Sequence, residues 1–140
     1  MSRYVLDANV LVKWFVPEDF SPQAARLLEG DHQLVVPDLI YPEASNALWQ
    51  KVRRRQITAP EARVALEAVA DAPLTVYPTR RLVSSALDLA LRLDCTVYDG
   101  CYLALAVLSD CPLVTGDRRL VAHVPGPLRG HLRALSSLPN

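Results

Sequence analysis

Apolar residues along the chain fall into two kinds of run. Residues 4–6, 34–36, 74–77 and 113–115 form short, nearly continuous hydrophobic stretches, the pattern of strands buried on both faces. Between them, apolar residues recur at helical spacing. Residues 10–16 form one such stretch, closed by Pro17. Ser21 and Pro22 read as the N-cap and first residue of a helix that buries Ala24, Ala25, Leu27 and Leu28 and stops at Gly30. Asp38 can cap a longer helix to about Arg55, with Leu39, Ile40, Ala44, Ala47, Leu48 and Val52 on its apolar side. Pro42 is tolerated there only because it lies near the start.

Thr58-Ala59-Pro60-Glu61 matches a capping box, so a further helix runs to Ala70, and Pro73 ends the unit. Thr79 can cap a helix through Leu93, and Asp99 opens a strongly apolar one to Leu108. Residues 118–121 have room for one helical turn, and residues 131–135 for a last edge strand. Buried strands alternating with helices predict an α/β fold. The expected architecture is a three-layer α/β/α sandwich with a central parallel sheet of four to five strands, and residues 1–140 form one domain.

Composition narrows the function classes. The 140 residues are 51% apolar and 21% charged, with fifteen acidic and fifteen basic side chains, which excludes disorder and a diffusely basic binder. The zero net charge conceals a split. Up to Gln50 there are seven acids against three bases, and from Lys51 onward twelve bases against eight acids. Cys95, Cys101 and Cys111 have no CxxC spacing, which argues against a disulfide framework or a zinc knuckle. With Asp7 interrupting the first apolar run and residues 102–108 too short to span a bilayer, the expectation is a cytoplasmic protein with no membrane partner.

The acids carry the chemistry. Parallel sheets bind ligands outside the carboxyl ends of their strands. Asp7 follows the first strand, Asp117 a late one, Glu43 lies on the first turns of the long helix, and Asp99 opens a helix leading to the same region. Singly, Asp7, Asp99 and Asp117 could be N-caps and Glu43 a complement to a helix dipole. Together they would repel, since two carboxylates about 4 Å apart cost roughly 4 kcal/mol at an effective dielectric near 20. A cation offsets that cost, and all-oxygen donors suit Mg²⁺ or Mn²⁺.

The local sequences are more specific than the acids alone. Val5-Leu6-Asp7-Ala8-Asn9-Val10-Leu11-Val12, Glu43-Ala44-Ser45-Asn46-Ala47-Leu48, Tyr98-Asp99-Gly100-Cys101-Tyr102-Leu103-Ala104-Leu105-Ala106 and Leu113-Val114-Thr115-Gly116-Asp117 resemble, in order, the four acidic motifs of PIN-domain ribonucleases. They are most similar to the VapC-type toxins of bacterial toxin–antitoxin pairs. The resemblance implies that Asp7, Glu43, Asp99 and Asp117 bind one or two metal ions, with Asn9 and Thr115 as polar supports. It also implies neighbouring strands for Asp7 and Asp117, and hydrolysis of RNA to 5′-phosphate and 3′-hydroxyl ends. Two departures stand out: Arg118, Arg119 and Leu120 follow Asp117 where some relatives carry another acid, and Pro42 directly precedes Glu43.

A nuclease needs cations for the substrate backbone. Arg118 and Arg119, beside a proposed ligand, are the first candidates; Lys51, Arg53, Arg54 and Arg55 form a second cluster that could equally complement a helix C-terminus. His32, His123 and His131 lack metal-ligand spacing. By family resemblance the partners are an RNA substrate, a cognate antitoxin docking in an apolar groove, and a second copy of the chain. Helices over residues 39–52 and 58–70 could supply the groove. A receiver-like signalling domain and a catalytically idle module on the same fold are the competing readings.

Overall fold

Five parallel strands make one sheet in the order β3-β2-β1-β4-β5. The computed structural model describes residues 2–138, apart from the side chain of Arg118. Strand β1 spans Ser2–Leu6, β2 His32–Pro37, β3 Thr75–Tyr77, β4 Leu113–Thr115 and β5 Leu132–Ala134. The helices are α1 (Ala8–Lys13), α2 (Ser21–Glu29), α3 (Ile40–Arg53), α4 (Ala59–Asp71), α5 (Val83–Leu93), α6 (Val97–Leu108), α7 (Arg118–His123) and α8 (Gly126–Arg129). Helices cover the sheet on both sides, giving the expected three-layer sandwich. Among the described residues no helix is long and apolar enough to cross a membrane.

The short apolar runs became the central strands for the reason their composition suggests. Val5, Leu6, Val36 and Val114 are completely buried and Leu113 is nearly so; each such side chain contributes about 1.5–3 kcal/mol relative to exposure. Helix α6 packs on β1 and β2 and is buried from Gly100 to Ala106, hence its apolar character all round. The edge strands are short: among the described residues β3 pairs only with β2, and β5 only with β4.

Several caps differ from the sequence expectation. Ser21 is the first residue of α2, not its cap; Phe20 holds that position in the left-handed region, and the Ser21 hydroxyl accepts from the Glu18 N–H. Asp38 and Thr79 do not cap the helices that follow them. Thr79 N–H donates to Asp38 Oδ1 at 3.0 Å, and Leu39 N–H donates to Thr79 Oγ1 at 2.9 Å, so the two side chains brace the β2–α3 loop against the β3–α5 loop. Thr96, not Asp99, caps α6, accepting from the Asp99 N–H. Helix α1 ends at Lys13, short of Pro17. The Thr58–Glu61 capping box is formed in both directions. Pro42 occupies the third position of α3, where a missing N–H leaves no helical bond unmade.

Candidate active site

The strand order decides where a cleft can open. The chain lays down β1, β2 and β3 in one direction and then returns to the other side of β1 for β4 and β5. The loops leaving β1 and β4 therefore diverge, and the crevice at their carboxyl ends is the natural ligand site. Asp7 immediately follows β1, and Asp117 lies two residues beyond β4.

These two acids are tied through one hydroxyl. Thr115 is a buried polar side chain, only 1% exposed. Its Oγ1 donates to Asp7 Oδ2 and accepts from the Asp117 N–H at 3.0 Å. Asp7 Oδ1 accepts from Val10 N–H at 3.0 Å, capping α1; Asp117 Oδ1 accepts from Arg119 and Leu120 N–H, capping α7. Both carboxylates are thus held in fixed rotamers by backbone donors; Asp7 keeps a free lone pair on each oxygen, and Asp117 keeps those of Oδ2, for a ligand.

Glu43 and Asp99 approach from the helices. Glu43, in the first turn of α3, accepts from the Tyr102 hydroxyl at 2.7 Å. Tyr102 is 3% exposed and lies one turn along α6 from Asp99, so one helix supplies both an acid and the donor that orients another acid. The sequence singled out Asp99 and passed over Tyr102. Its signal was the three-residue spacing from Asp99, which puts both on one helix face.

Electrostatics join the four acids into one set. Burial pushes Asp7 up to about 6, with the charges of Asp99 and Glu43 adding to the rise against the hydrogen bonds from Thr115 and Val10. Glu43 is raised by burial and by Asp99, opposed by the Tyr102 hydrogen bond. Asp99 is raised by burial and by Asp117, opposed by Thr96 and the Arg119 charge. Burial with the Glu43 charge and hydrogen bond raises the Tyr102 phenol, so it remains a donor. Among the described residues, however, no three His, Cys, Asp or Glu side chains are gathered tightly enough to hold a metal ion as they stand. The convergence is looser than a finished ligand shell, although an all-oxygen set with raised carboxyls fits the charge and hardness of Mg²⁺ or Mn²⁺.

Two cavities flank the acids. One of about 450 Å³ is lined by Cys95, Thr96, Asp99, Asp117, Arg119 and His123 among others. The other, about 440 Å³, is lined by residues including Asn9, Lys13, Lys51, Arg54, Gly116, Asp117 and Arg119. Asp117 and Arg119 belong to both. Of the expected cationic contacts, Arg119, Lys51 and Arg54 reach this cleft. Arg53 instead lies over the Trp49 ring at 5.1 Å, and Arg55 is exposed beyond the end of α3 with a φ of 58°. The Arg118 side chain lies outside the described residues.

Comparison with known proteins agrees with this fold. The PIN domain family model matches residues 4–126. The chain is 34% identical over 125 residues to Ribonuclease VapC3 of Pyrobaculum aerophilum, covering 88% of this chain and 95% of that one. It is 35% identical over 127 residues to Ribonuclease VapC1 of Mycobacterium tuberculosis, covering 90% and 93%. Among solved structures, PAE2754 from Pyrobaculum aerophilum is similar with a TM-score of 0.65 at 25% identity, covering 97% of this chain and 85% of that one. A toxin–antitoxin complex from Klebsiella pneumoniae contains a chain sharing the fold, with a TM-score of 0.64 at 16% identity and coverage of 94% and 97%. The PIN match sets aside the receiver-like alternative. With the family model matching residues 4–126 and relatives aligned along almost their whole length, the chain belongs to the PIN-domain family, on the branch that carries the VapC proteins.

Proposed function

We propose that this protein is a metal-dependent endoribonuclease and the toxin of a toxin–antitoxin pair. The observation that supports it most is the linkage of Asp7 and Asp117 through Thr115 at the β1/β4 crevice, facing Glu43 and Asp99 across a charge-coupled cleft. Asp7, Asp99 and Asp117 would hold one or two Mg²⁺ or Mn²⁺ ions, with Glu43 as a further ligand or as the group that orients water. When bound, the cation supplies a Lewis acid and a water of lowered pKa for in-line attack on a phosphodiester.

The chain's own residues do the rest. Thr115 and the N–H groups of Val10, Arg119 and Leu120 fix the Asp7 and Asp117 rotamers. Tyr102 does the same for Glu43. Arg119, at the junction of both cavities, offers a guanidinium to the phosphate beside the acids. Asn9, exposed on the cleft wall two residues from Asp7, would serve substrate contact in place of the supporting role its motif implies.

Family membership supports two protein partners in this reading. An antitoxin helix fits the shallow apolar groove between α3 and α4, where Leu48, Trp49, Val52 and Leu66 line about 230 Å³ and Trp49 is 52% exposed. A second copy of the chain fits the exposed stripe Val83, Leu87 and Leu91 on α5, beside Val107 and Leu108 of α6.

The experiment is incubation of the purified protein with structured RNAs in Mg²⁺ or Mn²⁺, beside EDTA and Asp7→Asn or Asp99→Asn controls. Cleavage that falls at least about a hundredfold in both controls is expected, the order seen when electrostatic stabilisation is removed. Cleavage that survives chelation and substitution overturns the reading, and binding without cleavage makes the chain an idle module.

A further inference from the structure

The cavity beside Asn9 and Asp117 has one wall that the acid chemistry leaves unused. Lys13 ends α1 and Lys51 lies in the last turn of α3, yet both ammonium groups converge on one carboxylate from the loop before α2. Lys13 Nζ donates to Glu18 Oε1 at 2.9 Å and Lys51 Nζ to Glu18 Oε2. The two lysine side chains are only 14% and 17% exposed, so neither is a waving surface cation. Burial alone would raise Glu18, but the two lysines outweigh it and hold the carboxyl below its ordinary value.

One lysine would neutralise Glu18. The second leaves the trio with a net positive charge, and each ammonium still has two N–H donors to offer. Arg54 and Arg119 line the same cavity and are matched by Asp19 and Asp117, so the positive charge of the trio stands as the excess. This wall also adjoins the acids: the Lys13 Cε lies 3.9 Å from where a Cβ on Gly116 would stand, directly before Asp117. A fixed, overcompensated ammonium pair in the same cavity as Asp117 suits a polyanion that spans both, such as the backbone of a nucleic acid.

We propose that Lys13 and Lys51, held together by Glu18, form a subsite for the RNA phosphate next to the one cleaved at the acids. The inference rests on the nuclease reading of those acids. In it Glu18 is a positioning residue: its two oxygens set the ammonium separation before RNA arrives, so less rotamer entropy is lost on binding.

The test is fluorescence anisotropy of a labelled single-stranded RNA of mixed sequence with the full chain in EDTA, over a range of salt. Lys13→Gln and Lys51→Gln are each expected to weaken binding about three- to tenfold and to reduce the slope of log K against log salt by about 0.7, the value per phosphate contact for single strands. Lys13→Arg restores the slope. Arg26→Gln, an equal change in charge near Tyr4 and His32 at the opposite end of the strands, changes neither quantity. Lysine variants that bind RNA as Arg26→Gln does, with a lowered melting temperature, make the trio a structural bridge and overturn the subsite while leaving the nuclease reading intact. A lysine-dependent slope in a chain that never cleaves RNA in Mg²⁺ keeps the phosphate subsite and overturns the nuclease reading. A wild-type chain that binds no RNA overturns the subsite.

Discussion

Asp7 is a helix cap and a proposed metal ligand at the same time, and the two descriptions need not compete. Capping uses one lone pair of Oδ1, and the Thr115 bond uses one of Oδ2. What the position costs shows in its acidity. The ordinary value of 3.8 rises to about 6, so between those pH values the folded chain binds a proton that the unfolded chain has lost. Stability from this group is therefore greatest below pH about 4 and declines as pH rises toward 6. Above that, the charged carboxylate costs of order 1–3 kcal/mol at 1.36 kcal/mol per pKa unit. Asp7→Asn is expected to raise stability in metal-free buffer at pH 7.5 by that order, with the gain shrinking toward zero at pH 4; urea melts at both pH values measure it. An equal effect at the two pH values would mean the Asp7 charge carries no such penalty. Asp99, by contrast, is not a cap at all, because Thr96 takes that place, and its carboxylate is left to the cleft.

At the scale of elements, the site depends on how closely α5 and α6 pack. Gly100, next to Asp99, lies so near α5 that an added Cβ would stand 2.5 Å from the Ala86 carbonyl oxygen. Backbone cannot give way as a side-chain end can. Gly100→Ala should cost about 1–3 kcal/mol through overpacking, and by pushing α6 outward it should also lower RNA cleavage; Gly130→Ala, with open space around it, should leave stability within about 0.5 kcal/mol. Thermal melts of the two variants make the comparison. The same scale explains the misplaced caps. Asp38 and Thr79 stand just before helical patterns, where Asp and Thr commonly cap, and the local pattern holds nothing to distinguish that role. Their reciprocal bonds span about forty positions of sequence, 38 to 79, and exist only because β2 and β3 pair. The Thr58–Glu61 box was legible because both of its partners lie within one turn.

For the whole molecule, charge and shape separate by position. The acids Asp7, Glu43, Asp99 and Asp117 are coupled by charge around one cleft, while Lys13, Lys51, Arg54 and Arg119 line its cavities; a net charge of zero conceals that opposition. The apolar stripe on α5 is a third feature at this scale. Leu87 is 50% and Leu91 74% exposed, and a second copy of the chain covering them would bury both. In the proposed dimer, Leu87→Glu with Leu91→Glu shifts sedimentation from dimer to monomer while circular dichroism stays unchanged, because both side chains already face solvent in the single chain. A wild-type chain that sediments as a monomer at all concentrations would remove this face as a self-association surface.

The alternation of buried runs and amphipathic stretches, the two-sided apolar character of α6 and the capping box were all determined by local sequence, since each depends on residues within a few positions of one another. So were the positions of Asp7 and Asp117, because strand ends can be read from where an apolar run stops, and those of Glu43 and Asp99, because their motif contexts are local. Tertiary structure alone decided the rest. The placement of β4 beside β1 let one Thr115 hydroxyl join two acids more than a hundred positions apart, and the packing of α6 against the sheet brought Tyr102 to Glu43. The meeting of Lys13 and Lys51 on Glu18 depends in the same way on α1 packing beside α3. Hydrogen bonds and ion pairs act over a few ångströms, and only the folded chain makes residues so far apart in sequence neighbours at that distance.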